Sequence, residues 1–412
     1  MPAKTELLLA TLALTTAIGA LGLAAGGTTG ALLGAALISG AGAGLPLGML
    51  VAGSAVAALL ISRRSARAGR PRSLALGYAV GALGALVSIA ATTTHSVILL
   101  LLGSTFLGAA NAAIFLTRYA AAELGGQHTS GRGLGTVLAA AALGAVASPN
   151  LLGPSGALMT ALSLPRLAGL YAVALVAFGV AGLLLALAVP AVDRAIARPT
   201  SPVRRGGATL REIADALGTR DVRLALVLLA ASNLIMVAVM TVAPVEMTAH
   251  GHTLTLIGVV ISIHVAGMFA PSPVTGWLAD HAGPTAVAAF GIVLLICTGI
   301  AGAITTVENA WATSAVLIAL GVGWNCGVVG GSTMLASSVA PPLRTHVEGI
   351  GESVMGLAAA LSAPLAGLAL AVAGLTGVWA VTTMIAILVV APIVRRWVVP
   401  RTSSPAQERT DQ

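Results

Sequence analysis

Charged and polar side chains inside long apolar runs are the groups of this sequence best placed to do chemistry. Arg118 and Asn111 lie in one such run, with Glu123 at its end, and His264 lies near the middle of another. An arginine at the centre of a spanning helix costs about 2.5–3.5 kcal/mol on insertion scales, so a group kept there is a functional candidate by default. A guanidinium binds anions, and a neutral imidazole accepts a proton within the physiological pH range. These residue types therefore indicate binding or proton transfer inside a membrane.

Arg118 and His264 each allow a second interpretation. Arg118 either acts in a substrate or proton pathway, or extends to the cytoplasmic interface beside Glu123. His264 either binds a coupled proton, or hydrogen-bonds a neighbouring helix and never titrates. An alanine variant of His264 distinguishes its two roles, because only the loss of a coupling site changes the pH dependence of transport.

The other polar candidates lie near the middle or the ends of apolar runs. Asn233 and Asn325 either hydrogen-bond a substrate at the membrane midplane or join two helices, which is worth about 0.6 kcal/mol on average. Trp324 either stacks on a flat ligand or only packs. Glu352, one turn beyond Glu348, is either a titrating gate or a solvated helix end.

The residue inventory argues against an enzyme and against a resident cofactor or metal. Lys4 is the only lysine, so a Walker phosphate-binding loop is impossible. No pair of catalytic groups has the spacing of a known hydrolytic motif. Cys297 and Cys326 both fall inside apolar runs, which supports neither a disulfide framework nor a zinc site.

The composition requires these residues to be positioned by membrane-spanning helices. Of the 412 residues, 57% are hydrophobic and 8% charged, far below the charge of a soluble domain. Open sheets would leave unpaired backbone groups in hydrocarbon, so the apolar runs must be helical. We predict an all-α membrane protein of twelve transmembrane helices, with spans at about 7–27, 38–61, 74–93, 97–121, 133–153, 168–189, 223–245, 254–274, 286–305, 311–335, 350–373 and 377–394.

Arginine placement predicts the orientation of these helices. Loops on one side carry Arg63, Arg64, Arg67, Arg70, Arg72, Arg132, Arg194, Arg198, Arg204, Arg205, Arg211, Arg220, Arg223 and Arg344. The opposite loops hold only Arg166. By the positive-inside rule both termini face the cytoplasm, which requires an even number of spans. Arginine beside apolar spans is a topology signal, so we expect no nucleic-acid partner.

A basic segment in the middle of the chain divides it in two. We expect a first six-helix bundle over 1–190, a cytoplasmic linker over 191–222, a second bundle over 223–400 and a disordered cytoplasmic tail over 401–412. Thr209 and Glu212 have the spacing of a capping box, which favours a short surface helix at about 210–217. An unstructured basic loop is the alternative for that segment.

The two halves repeat faintly. Gly69 and Gly283 follow spans two and eight and lie 214 positions apart, and the same offset relates Asn111 to Asn325. A chain built of two related bundles is common among secondary transporters. The repeat therefore supports two pseudo-symmetric six-helix bundles.

The second of the repeated turns resembles the signature of the major facilitator superfamily, which has Gly, three residues, Asp, two residues and Gly. Gly276, Asp280 and Gly283 fit it. The first copy has Ser62 and Ala66 at the glycine and aspartate positions and keeps Arg67, Gly69, Arg70 and Arg72. In this family the motif is thought to latch the halves in the outward-open state. The resemblance thus implies a gating role, while a static turn is the alternative.

Two more stretches add to the resemblance. Gly144, Pro149 and Asn150 in span five look like the family's antiporter motif, with Ser148 and Leu152 at two glycine positions. Arg118 resembles the arginine that the family's proton antiporters carry in helix four. The stretches 264–272 and 323–331 look like those of uncharacterised bacterial members.

The resemblance implies a transporter in the cell membrane. We expect a monomer in the lipid bilayer that moves a small organic molecule by alternating access, coupled to protons as an efflux antiporter. Proton-coupled uptake of a nutrient is the alternative, and a receptor or scaffold that transports nothing is the alternative of another class.

Overall fold

The structure, a computed structural model, describes residues 2–23, 25–38, 44–195, 208–305 and 307–398, and every regular element in these ranges is a helix. The helices are α1 Pro2–Ala20, α2 Gly30–Leu37, α3 Leu45–Ala68, α4 Arg70–Thr94, α5 Val97–Asn150, α6 Leu152–Ala161, α7 Ala168–Ala195, α8 Leu210–Gly218, α9 Arg220–Ala249, α10 Leu254–Phe269, α11 Ser272–His281, α12 Pro284–Ile304, α13 Ala310–Ser338 and α14 Pro341–Val398. A π-helical turn, Ala25–Thr29, lies between α1 and α2. The predicted tail lies outside the described residues, as do positions 196–207 of the predicted linker. The all-α prediction is confirmed.

Within the described ranges, ten segments are long and apolar enough to cross a membrane, judged by length and composition. They are Leu45–Ala68, Arg70–Thr94, Val97–Leu124, Thr129–Ser148, Ala168–Ala188, Arg220–Ala249, Leu256–His281, Pro284–Ile304, Ala310–Ser338 and Pro341–Val389. Helix α5 contains two of them, which match predicted spans four and five. Ten segments are two fewer than the twelve predicted spans. The difference lies at the first predicted span and at the last two.

The first span is shorter than predicted, and the last two share one helical stretch. Helix α1 ends at Ala20, and its apolar part, Thr5–Ala20, is shorter than a full span. Gly22, Gly26 and Gly27 follow, and glycine has poor helix propensity. In α14 the backbone leaves the helical region at Gly374, with φ 64° and ψ −170°. That break lies between the predicted spans 350–373 and 377–394.

The sequence repeat is also a repeat of backbone geometry. Gly69 ends α3 with φ 90° and ψ 150°, and Gly283 precedes α12 with φ 89° and ψ 148°. Each starts a helix with a proline in its first turn, Pro71 in α4 and Pro284 in α12. A positive φ of this size favours glycine, which explains why both positions carry it.

The halves, α1–α7 and α9–α14, meet on the side of the arginine-rich turn between α3 and α4, here called the arginine-rich side. Helix α14 packs on α3, and α11 packs on α5. A Cβ atom on Gly276 of α11 would lie 2.2 Å from the carbonyl oxygen of Gly131 in α5, so the backbones touch. The linker helix α8 packs on α9 and α14, and Thr209 and Glu212 form its capping box as predicted.

Candidate functional site

A buried ion pair joins the halves. Nη2 of Arg118, in α5, lies 2.8 Å from Oε2 of Glu352, in α14. The Arg118 side chain is fully buried, and that of Glu352 is 8% exposed. A buried arginine and carboxylate that have left water stabilise each other strongly only with good geometry and further hydrogen bonds. Arg118 must therefore be satisfied on its other nitrogen atoms as well.

Both halves supply those further partners of Arg118. Its Nε donates to Oγ of Ser332 (3.1 Å), its Nη1 donates to the Phe115 carbonyl (2.8 Å), and its guanidinium lies 4.6 Å from the Tyr119 ring centroid. Arg118 and Ser332 are 214 positions apart, so they are equivalent positions of the two halves. The structure thus places Arg118 between the halves and not at the interface beside Glu123.

Asn233 and Trp324 extend this network. The indole Nε1 of Trp324 donates to Oδ1 of Asn233 (3.0 Å), and Nδ2 of Asn233 donates to the Met355 carbonyl in α14 (2.8 Å). Trp324 is buried, with Phe269 at 5.5 Å between ring centroids. Its faces are therefore not open for stacking on a ligand in this conformation. We call the residues Arg118, Tyr119, Asn233, Trp324, Ser332 and Glu352 the central cluster.

Three predicted residues make bonds outside the central cluster. Asn325 joins α13 to α10 and α11 by donating to Oγ of Ser272 (2.6 Å) and to the Met268 carbonyl (2.7 Å). Asn111 donates to Oγ of Ser54 (3.0 Å). His264 is buried, and its Nδ1 lies 2.7 Å from the Leu317 carbonyl oxygen. These contacts correspond to the helix-joining interpretation of Asn325 and of His264, and Asn111 likewise joins α5 to α3.

A second charged group joins the halves on the arginine-rich side. Arg70 binds Glu123 in a bidentate manner, with Nε–Oε2 at 2.8 Å and Nη2–Oε1 at 2.7 Å. Its Nη2 also contacts Oε2 of Glu348 in α14. We call Arg70, Glu123 and Glu348 the triad. Sequence reasoning named these residues but not their association; the signal was the turn-spaced pair Glu348 and Glu352, which places two carboxylates on one face of α14.

Asp280 joins the halves by different chemistry. Its carboxylate accepts from the backbone N–H of Gly131 (2.7 Å) and of Arg132 (2.9 Å), close to the start of the apolar segment Thr129–Ser148. Hydrogen bonds from N–H groups to an ionised carboxylate are stronger than those between neutral groups. The equivalent position of the first half is the exposed Ala66, and Arg67 beside it is exposed too. The second half therefore contributes the bond from a carboxylate to backbone N–H groups, and the first half contributes Arg70 and Glu123 to the triad.

The antiporter-like stretch of span five lies against α1. A Cβ atom on Gly144 would be 2.1 Å from the Ala17 carbonyl oxygen, so the two backbones are in contact. Nδ2 of Asn150 donates to the Val146 carbonyl of its own helix (2.9 Å). Pro149 lies one residue before the end of α5. The stretch therefore packs against α1 at Gly144, and the Asn150 side chain bonds within its own helix.

The described residues contain no group of three or more His, Cys, Asp or Glu side chains arranged to hold a metal ion. The chemistry of the central cluster and the triad is that of arginine–carboxylate pairs between two halves. Such pairs can bind protons or charged groups, and they break when the halves separate.

Comparison with known proteins identifies the family. The family model of the Major Facilitator Superfamily matches residues 7–341 and 242–412. The chain is 35% identical over 361 residues to the uncharacterized MFS-type transporter YddS of Bacillus subtilis, covering 86% of this chain and 82% of that protein. It is 28% identical over 357 residues to the riboflavin transporter RfnT of Brucella anthropi, covering 85% and 86%.

The fold is shared with a solved structure. The crystal structure of the human organic anion transporter MFSD10 (TETRAN) is similar with a TM-score of 0.71 at 16% sequence identity, over 95% of this chain and 100% of that chain. At this identity the likeness concerns the fold alone. Together with the apolar helices and the family match, it completes the assignment: the chain belongs to the Major Facilitator Superfamily and is a multi-pass membrane protein that acts as a secondary transporter.

Proposed function

We propose that the chain exports a small organic molecule in exchange for protons, and that Glu352 carries the coupled proton. The observation that supports this most is the buried Arg118–Glu352 pair, which connects α5 of the first half with α14 of the second. Buried carboxylates are expensive inside a membrane protein and mark proton pathways. A carboxylate that both holds the halves together and can be neutralised is suited to coupling.

Protonation of Glu352 changes the contact between the halves. With Glu352 ionised, its charge attracts the guanidinium of Arg118 in surroundings of low dielectric constant. Once Glu352 takes a proton, that attraction is lost, while Arg118 keeps Ser332 and the Phe115 carbonyl. The energy that holds the halves together at the central cluster therefore depends on the charge of Glu352. We propose exchange because a proton and a substrate can act on this contact one after the other.

The proposal extends to topology. We infer that the arginine-rich side and both termini face the cytoplasm of the cell, because arginine collects on that side of the spans. The two halves, 1–190 and 223–400, are then joined by a cytoplasmic linker over 191–222. Since one chain contains both halves and the contacts between them, we propose that it transports as a monomer.

The test is transport in proteoliposomes with the Glu352→Gln variant. Riboflavin is the first substrate probe, because a relative is named for it, followed by compounds that raise the melting temperature of the purified protein. We expect the variant to lose transport driven by an imposed pH gradient, at least about 10-fold, while substrate–substrate exchange at equal pH continues. The loss follows because a carboxamide cannot take up the proton.

The matched control is Glu246→Gln in α9, which removes a carboxylate outside the central cluster. It should leave both assays unchanged. Gradient-driven transport that survives in Glu352→Gln would overturn the coupling role. Accumulation with inward proton flow would assign uptake, and no movement of any probe at any pH would support a receptor or scaffold.

His264→Ala should leave the pH dependence of transport unchanged. Nδ1 of His264 is committed to the Leu317 carbonyl, which joins α10 to α13, so we assign it a structural role. Losing this hydrogen bond and leaving its acceptor unpaired should lower the stability of the protein by about 1–3 kcal/mol. Transport rates across a pH series and thermal unfolding measure the two effects. A displaced midpoint of the pH profile would return His264 to the coupling site.

A further inference from the structure

We propose that the triad is a second proton-binding site, separate from the Arg118–Glu352 pair, and that Glu348 holds a proton when the halves are closed on the arginine-rich side. The first observation is a charge count. Arg70 supplies one positive charge, and Glu123 and Glu348 bring two carboxylates to it. Two carboxylates that share one buried guanidinium leave one negative charge without a partner.

The hydrogen bonds favour Glu123 as the ionised carboxylate. Glu123 has both oxygen atoms on Arg70 and is 16% exposed, so its charge is paired and partly hydrated. Glu348 has a side chain only 1% exposed, and its Oε2 alone contacts Arg70. Its Oε1 is buried without a hydrogen-bond partner. A buried, unpartnered carboxylate oxygen is costly, whereas a protonated carboxyl group is neutral, so the proton belongs on Glu348.

The other charged groups around Glu348 do not supply the missing positive charge. Arg344, one turn earlier in α14, acts on Glu348 electrostatically, but the ion pair of Glu348 among the described residues is with Arg70, and Nη2 of Arg344 donates to the Val339 carbonyl (3.4 Å). Helix α3 faces this turn with Ser62, which lies against Gly349, while Arg63 and Arg67 act on His346. Within the triad itself one carboxylate charge stays without a directly bound cation, and we assign the proton to Glu348, whose Oε1 has no hydrogen-bond partner.

The proton then depends on the conformation. Separation of the halves on the arginine-rich side takes Arg70 and Glu123 away from α14 and exposes Glu348 to water, where a carboxyl group ionises at neutral pH. Closing this side takes up a proton, and opening it releases the proton to the same side. A group that binds a proton in only one conformation makes the equilibrium between the two pH-dependent. Glu348 binds its proton more tightly in the closed conformation than in the open one, so closure is favoured as the pH falls.

The location explains how this chain tolerates the loss of the signature aspartate. Ala66 occupies the position equivalent to Asp280, so the first half has no carboxylate to cap a helix of the second. Glu348 supplies a carboxylate from the opposite half instead and binds Arg70 of the same motif. The contact between Arg70 and Glu348 therefore depends on the protonation of Glu348. The contact of Asp280 differs, because both of its oxygen atoms accept hydrogen bonds from backbone N–H groups.

Spin-label distances across a pH series test the proposal. Labels at Arg64→Cys in α3 and His281→Cys in α11, both exposed positions on opposite halves, report separation on this side in a Cys297→Ser, Cys326→Ala background. In a Glu352→Gln background, where the opposite effect of the Arg118–Glu352 pair on closure is absent, we expect the closed fraction to rise as the pH falls. Glu348→Gln, which imitates the protonated carboxyl group, should be closed at every pH, with the pH dependence reduced at least about 5-fold. Unchanged pH dependence in Glu348→Gln would overturn the proposal.

An infrared measurement and the Glu352→Gln variant separate the proposed proton on Glu348 from effects of misfolding and from a proton on Glu352. Infrared difference spectra of the closed wild-type protein should contain a C=O stretching band of a protonated carboxyl group, and Glu348→Gln should lack it. A closed protein without that band contradicts the proposal. In Glu352→Gln, both the band and the pH-dependent closure should persist, whatever that variant does to transport. Their loss there would assign the proton to Glu352 instead.

Discussion

Arg118→Met should abolish proton-driven transport and lower the stability of the protein by about 3–5 kcal/mol, the cost of removing one partner of a buried ion pair. Methionine fills most of the space of the arginine stem without its charge. Glu352 is then left buried without its cation, and Ser332 and the Phe115 carbonyl lose a donor. Unfolding curves of the detergent-solubilised protein and transport in proteoliposomes measure the two effects.

Two companion variants separate loss of the pair from loss of the fold. Arg166→Met removes an exposed arginine and should change stability by no more than about 0.5 kcal/mol. Arg118→Met with Glu352→Gln removes both charges, so most of the stability should return while proton-driven transport stays absent. If Arg118→Met alone transports normally, the guanidinium has no part in coupling.

Much of the fold follows from local properties of the sequence. Apolar runs of about 20 residues define spans whatever their partners are, so hydropathy alone locates the ten spanning segments of the described residues. The capping box at Thr209 is a local interaction and was predictable for the same reason. The positive φ of Gly69 and Gly283 is equally local, since a glycine before a proline-led helix marks the turn. The first span was predicted to run to residue 27, whereas α1 ends at Ala20 and Gly26 and Gly27 lie in the π-helical turn that follows.

The site depends on pairings that no local pattern encodes. Arg70 and Glu348 are 278 positions apart, and Nη2 of Arg118 also contacts Sδ of Met355, 237 positions away. The sequence indicates that Arg118 is costly in a membrane, but not which carboxylate lies opposite. Glu123, beside which one of the two interpretations placed Arg118, binds Arg70. The packing of the two halves decides this, and it became visible only in three dimensions.

Small residues determine how closely the halves approach, and this gives the contacts their geometry. A Cβ atom on Gly349 would meet the Ser62 side chain, whereas one on Gly276 would meet the backbone of Gly131. Each glycine allows a close approach of the halves beside a charged contact, the triad in one case and Asp280 in the other. The hydrogen bonds from Gly131 and Arg132 to Asp280 are formed only because the helices touch.

Gly276→Ala should therefore prevent closure on the arginine-rich side and reduce transport by at least about 100-fold. Its Cβ atom would lie 2.2 Å from the Gly131 carbonyl oxygen and 2.8 Å from its carbonyl carbon, which are backbone atoms and cannot rotate away. A contact this short forces α11 and α5 apart. The transporter then stays in the conformation that is open on the arginine-rich side, and transport stops. The fold itself should survive, because an open conformation does not contain the contact.

The matched control is Gly258→Ala in α10, where an added Cβ atom meets nothing within 4 Å. Alanine in a helix is favoured over glycine by roughly 0.5–1 kcal/mol, so this variant should be slightly more stable and should transport normally. Spin labels at Arg64→Cys and His281→Cys report the conformation of both variants. Gly276→Ala should show the longer distance at every pH. A closed population equal to that of the wild type would mean that the helices yield at this contact, and that the glycine does not determine closure.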